Sequence, residues 1–204
     1  MKIVHIGAGG VIGRAVADEL GKRHEIVRVS RSSGDFQVNM EDPASIARLF
    51  NQTGHFDSLI CTAGAVHFAP LAEFSVEQYS IGLKSKLMGQ VNLVRSGRKY
   101  LREGGSFTLT SGPTNEDPIP LGTSSAMVNG ALEGFVRSAA IELQSNRRIN
   151  LVSPTMLEES SSLYGSFFVG TKPVATADVV LAYVKSVEGR QTGCVYRVGW
   201  TRER

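Results

Sequence analysis

Four glycines, Gly7, Gly9, Gly10 and Gly13, stand between an apolar run, Lys2 to Ile6, and a stretch with helical spacing that begins at Val11. That arrangement suits phosphate chemistry. Gly7 supplies a tight turn, Gly9 or Gly10 lets the backbone approach a pyrophosphate, and Gly13 lets the helix pack closely on the strand, while the helix start at Val11 and Ile12 meets the anionic charge. The next apolar run, Glu25 to Ser30, leads into Arg31-Ser32-Ser33, with no Asp or Glu there to hold a ribose 2′-hydroxyl. Arg31 can instead stack on adenine and meet a 2′-phosphate, with Ser30 or Ser32 adding a hydroxyl donor. The chemistry implied is binding of a nicotinamide dinucleotide, NADP(H) in preference to NAD(H).

Other reactive side chains show no comparable pattern. Cys61 and Cys194 are far apart and each lies in an apolar run, which suggests neither a disulfide framework nor a zinc site. The histidines, His5, His24, His55 and His67, lack metal-like spacing; His67, just past Gly64, is the one near the expected cofactor.

The elements that position the glycine turn alternate from end to end. Short apolar runs at 2–6, 25–30, 58–62, 106–110, 148–152 and 193–198, with a shorter one near 36–38, read as strands; amphipathic stretches at 11–23, 43–52, 76–102, 124–145 and 176–188 read as helices. Asp42 followed by Pro43, and Thr176 ahead of Asp178, read as helix caps. The pattern predicts an α/β fold of the Rossmann type, a doubly wound parallel sheet of about seven strands between two helical layers, in one domain spanning residues 1–204. The Ser-, Gly- and Thr-rich segment from Pro154 to Pro173, with Phe167 and Phe168, lacks a clean period and reads as a loop or lid.

Charge is spread rather than clustered. Twenty-two basic and 19 acidic residues give a net charge of +3 without a Lys/Arg stripe, so no nucleic-acid partner is expected. No apolar run approaches membrane-spanning length and no signal-peptide pattern opens the sequence; with the cysteine usage, this points to a cytoplasmic setting.

Residues along most of the chain resemble the short-chain dehydrogenases/reductases. Asn39-Met40 sits where that family has an Asp and an apolar residue beside the adenine, and Cys61-Thr62-Ala63-Gly64 resembles its Asn-Asn-Ala-Gly strand end. The stretch from Arg148 to Pro154 resembles the one that ends at the nicotinamide, with Thr155 in place of the usual glycine, and Thr192-Gly193 resembles the start of the last strand. The resemblance implies a catalytic Tyr, a Lys four residues later, a Ser and an Asn. Aligned without gaps on Ala131 to Phe135, the Tyr position falls on Ser125, the Lys position on Asn129, the Ser position on Gly112 beside Ser111, and the Asn position on Lys86.

The resemblance is to an atypical member, without the Tyr-x-x-x-Lys pair. A serine hydroxyl is too weak an acid to replace an activated phenol unaided. Where the family has Asn and Lys on facing helices, however, this chain has Lys86 and Asn129, a reciprocal exchange. The expectation is an NADP(H)-dependent oxidoreductase acting on a small carbonyl or alcohol, with a relay built from Lys86, Ser111, Ser125 and Asn129. The alternative is a catalytically inactive NADP(H)-binding redox sensor or regulatory protein. Tyr164, in the lid, is a further source of a phenol. The resemblance also implies a homodimer or homotetramer paired through the two long helices, with Ala131, Phe135, Ser138 and Ala139 facing a partner.

Overall fold

The computed structural model describes residues 1–200, and these form a seven-stranded, all-parallel sheet. The strands are β1 (Lys2–Ile6), β2 (Glu25–Ser30), β3 (Phe36–Gln37), β4 (Phe56–Cys61), β5 (Leu101–Thr110), β6 (Arg148–Pro154) and β7 (Val195–Val198), in the spatial order β3-β2-β1-β4-β5-β6-β7. The order reverses between β1 and β4. Crossovers on either side of that point leave the sheet in opposite directions, so their loops part and a crevice opens at the C-terminal ends of these two strands.

Residue alternation feeds two cores. Val4, Ile6, Leu59, Phe107 and Leu109 face α2 (Pro43–Thr53), α4 (Gly89–Gly97) and α5 (Thr123–Glu142), whose Ile46, Leu49, Phe50, Leu93, Leu132 and Val136 are fully buried against them. Ile3, Ile60 and Val152 face the opposite way, onto Val16 and Leu20 of α1 (Val11–Gly21) and Val179, Tyr183 and Val187 of α7 (Thr176–Glu188). Burial on both faces is why the central strands read as continuous apolar runs.

Several local expectations need correction. The stretch 76–102 is not one α-helix: α3 (Val76–Gly82) passes through a π-helical turn, Leu83–Met88, into α4, which ends at Gly97. Tyr100 N–H then turns back to the Gly97 carbonyl, and β5 begins at Leu101, pairing with Phe56 of β4. Asp42 does cap α2, accepting from Ala44 N–H at 2.9 Å ahead of Pro43. Thr176 is no cap; it is the first helical residue, the N-cap is Ala175, and the Thr176 hydroxyl is buried without a partner among the described residues. The segment after Pro154 carries short helical turns, among them α6 (Ser161–Tyr164). Among the described residues, no helix is long and apolar enough to cross a membrane.

Candidate active site

The glycine turn is shaped by contacts that exclude a side chain at two positions and leave open space at a third. Gly7 has φ +89°, and a Cβ there would lie 2.8 Å from the Ala63 nitrogen; one on Gly13 would lie 2.0 Å from the Gly7 carbonyl oxygen. A Cβ on Gly9 would meet nothing within 4 Å, and one on Gly10 only the Gly7 oxygen at 3.7 Å. The start of α1 has no side-chain cap, and its first i to i−4 bond runs from Arg14 N–H to Gly10. The N–H groups of Val11, Ile12 and Gly13 are therefore without helical partners at the mouth of the crevice, a cradle that fits a pyrophosphate.

The cradle is tied to β4 by two polar side chains from the strands. Thr62 Oγ1 donates to the Gly7 carbonyl at 3.1 Å, and His5 Nε2 lies 3.1 Å from Thr62 Oγ1. With its proton committed to a carbonyl, Thr62 accepts from His5, which fixes the Nε2–H tautomer. His5 is fully buried in β1, and burial, with a smaller contribution from the Arg28 charge, pushes its pKa down to about 3, so the ring is neutral. Its Nδ1 has no partner among the described residues.

Beyond the turn, a cleft of about 240 Å³ is bounded by Ser30, Arg31, Asn39, Met40, Ala63 and Gly64, among others. Arg31 and Ser32 are exposed. Ser30 is not free for a ligand: its hydroxyl donates to Ser33 O at 2.7 Å and accepts from Ser33 N–H at 2.9 Å, closing the turn that presents Arg31. Asn39 Oδ1 accepts from Glu41 N–H at 3.2 Å, and Met40 packs its sulfur 3.7 Å from Cys61 Sγ.

At the other end, a cavity of about 400 Å³ lies past the C-terminal ends of β5 and β6. Ile12, Pro154 and Thr155 line it beside Lys86, Ser111, Ser125 and Asn129, so all four expected catalytic positions share one chamber with residues of the expected nicotinamide end. Lys86 Nζ donates to the Ser111 carbonyl at 3.3 Å. Burial of that ammonium among apolar walls lowers its pKa to about 8, an effect only partly opposed by Cys61. Thr114 Oγ1 donates to Ser125 Oγ at 3.0 Å, and Asn129 Nδ2 donates to Thr114 Oγ1 at 2.9 Å. The Ser111 hydroxyl is buried without a partner among the described residues.

No tyrosine takes the missing role by sequence, since none of the five has a lysine four residues later. Tyr164, half exposed, lines the cavity together with Phe167 and Phe168. Tyr183 is buried with its hydroxyl 2.6 Å from Thr110 Oγ1, and burial raises its pKa. His67 stands edge-on to the Phe74 ring instead of lining the chamber.

Two residues that the sequence did not single out organise the polar end. Thr114 joins Ser125 and Asn129, as above. Gln90, fully buried, donates from Nε2 to the carbonyls of Lys86 at 3.0 Å and Thr110 at 2.9 Å, and its Oε1 accepts from Thr110 N–H at 2.9 Å. The Lys86 carbonyl belongs to the π-helical turn, so Gln90 satisfies it and ties that turn to β5. Gly64 packs on the same turn; a Cβ there would lie 3.0 Å from Lys86 Cα. A primary amide beside the buried pair Leu93 and Val94 was the available signal for Gln90.

The parallel sheet with its strand-order reversal, together with a glycine cradle at that point, defines a Rossmann-type dinucleotide-binding protein. Residues 8–170 match the family described as enoyl-(acyl carrier protein) reductase, and the chain belongs to the short-chain dehydrogenase/reductase family. It is similar to the crystal structure of the protein lin1944 from Listeria innocua, with 45% identity, a TM-score of 0.96, and coverage of 97% of this chain and 99% of that one. A small-chain dehydrogenase solved in complex with NADPH is 26% identical, with a TM-score of 0.87 over 97% of this chain and 96% of that one. Versicolorin reductase stcU from Emericella nidulans is 27% identical over 72% of this chain, and the match spans 66% of that relative's length.

Proposed function

We infer that this protein is an NADP(H)-dependent oxidoreductase that interconverts a small carbonyl compound and its alcohol, with Lys86 as the proton-transferring group. The observation that carries this reading is the Lys86 ammonium inside the chamber that Ser111, Ser125 and Asn129 also line, its pKa lowered to about 8. A general acid works best with a pKa near the ambient pH. The similarity to reductases, and the NADPH bound to one similar structure, support the same reading.

The cradle from Gly7 to Gly13 would hold the pyrophosphate, Arg31 and Ser32 the adenosine 2′-phosphate, Asn39 and Met40 the adenine, and Thr62 to Gly64 with Pro154 and Thr155 the nicotinamide half, all in one domain. When bound, the dinucleotide supplies or accepts the hydride. In reduction, Lys86 gives a proton to the carbonyl oxygen of the substrate and is left as a neutral amine, which solvent reprotonates. Ser111 and Ser125 supply hydroxyls near that oxygen. Asn129, four residues after Ser125, holds Thr114 and through it Ser125 in place. The remaining walls are mostly apolar, which strengthens each polar contact at the reacting end.

Fluorescence titration with NADPH and NADH, followed by a panel of small aldehydes and ketones, tests this. Tight NADPH binding with oxidation of a carbonyl substrate is expected. Tight binding with no turnover of any substrate would overturn the enzyme reading in favour of a redox sensor, and binding of neither dinucleotide would overturn both.

A further inference from the structure

We propose that the chamber takes an uncharged, hydrophobic carbonyl compound, held by its apolar body and reacting at its one polar end, and that it rejects substrates carrying a second, anionic group. The proposal rests on the assignment of the reacting end to Lys86.

Charge in the chamber is confined to one place. Among the described residues, Lys86 is the one charged side chain that lines it. The wall from the 113–121 loop is built of Pro113, Ile119, Pro120 and Leu121, and the segment after Pro154 contributes Met156 and Phe168. A carboxylate or phosphate on the far side of a substrate would have to rest against these side chains with no cation to meet it. Such a charge costs several kcal/mol to bury unpaired. Acidic charge nearby adds to this: Glu158 and Glu159, both exposed, stand in sequence between Leu157 and Ser160, which line the chamber. An anion that did enter would be drawn to Lys86 itself and occupy the position of the reacting oxygen, a bound but unproductive arrangement.

The neutral walls also suit a flat or branched hydrocarbon skeleton better than a polar one. Hydroxyls or amides along the substrate body would exchange water for contacts that are mostly with proline, leucine and phenylalanine carbons, with hydroxyls from Thr155, Ser160 and Tyr164 returning part of the lost hydrogen bonding. A pocket of this kind, mostly apolar and with its charge at the reacting end, fixes orientation chiefly through the reacting oxygen.

The test is a matched pair: 2-naphthaldehyde and 6-formyl-2-naphthoic acid, each with NADPH and the full-length protein. The expected result is a kcat/KM at least about a hundredfold higher for the neutral aldehyde, the size of effect an unpaired buried charge produces. Equal turnover of the two, or preference for the carboxylate, would overturn the proposal. If neither is reduced although NADPH binds, the pair is compared by bound-NADPH fluorescence instead. A saturable change on adding 2-naphthaldehyde would uphold the apolar chamber, and no change would overturn it.

Discussion

Lys86 Nζ and the Ser111 carbonyl oxygen are 3.3 Å apart, so a cation carried on the π-helical turn closes over the end of β5 at the polar end of the chamber. With the Lys86 pKa lowered to about 8, the amine is mostly protonated at neutral pH and loses its proton as pH rises through that value. The reduction rate is therefore expected to fall above about pH 8, and the rate of alcohol oxidation, which needs the neutral amine, to rise over the same range. Initial rates in both directions between pH 6 and pH 10, on the order of what standard buffers span, check this. Parallel profiles in the two directions would exclude Lys86 as the titrating group.

Gln90 touches no reacting atom, yet it satisfies the Lys86 carbonyl and both backbone groups of Thr110. Gln90→Leu leaves these groups buried and unpaired, at about 1–3 kcal/mol each, and lowers thermal stability. It also loosens the turn that carries Lys86, so kcat is expected to drop about tenfold or more while NADPH affinity changes little, since the glycine cradle is untouched. A variant that melts earlier but keeps the wild-type kcat and pH profile would show that Gln90 serves stability alone.

Gly9 and Gly13 make a matched contrast. Gly13→Ala drives a Cβ into the Gly7 carbonyl and is expected to disrupt the turn and lower the melting temperature sharply. Gly9→Ala meets open space in the free protein, so its stability stays near wild type, but the methyl stands where a pyrophosphate would approach. Loss of one hydrogen bond to a charged oxygen weakens binding by about tenfold or more. Differential scanning fluorimetry with and without NADPH separates the two cases; unchanged NADPH affinity in Gly9→Ala would move the pyrophosphate elsewhere.

His5 ties the cradle to β1 in its neutral form. Its folded-state pKa of about 3 lies below the ordinary value of 6.5, so between these limits the unfolded chain binds the extra proton. Its contribution to stability is complete above pH 6.5 and is lost as pH falls toward 3, a swing on the order of a few kcal/mol. His5→Leu is expected to flatten the fall in melting temperature across that acid range, even though it loses the Thr62 contact. A variant with the wild-type slope would show that other groups set the acid sensitivity.

The frame of this site was readable because periodicity and punctuation agreed. The β1–glycine–α1 unit, the bare Arg31 turn and the apolar strands each carry their own local signal, and the sheet follows from them. The helix from Val76 was read too far because Arg98 to Arg102 keeps an amphipathic pattern, whereas Gly97 ends the helix and the exposed Arg102 to Gly104 disguise the opening of β5. A hydroxyl one position late, at Thr176, mimicked a cap. The π-helical turn has no sequence signature, and the partners of Gln90 and Thr114 come together only when β5, α4 and α5 converge. Long-range polar contacts of this kind leave no periodic trace.

The most direct test of the central claim is the Lys86→Met variant, assayed for NADPH binding by fluorescence and for carbonyl reduction over the same pH range. Wild-type NADPH affinity with kcat reduced about a hundredfold or more, and loss of the limb near pH 8, is the expected result. A variant that reduces its substrate at the wild-type rate with the wild-type pH dependence would contradict the assignment of proton transfer to Lys86.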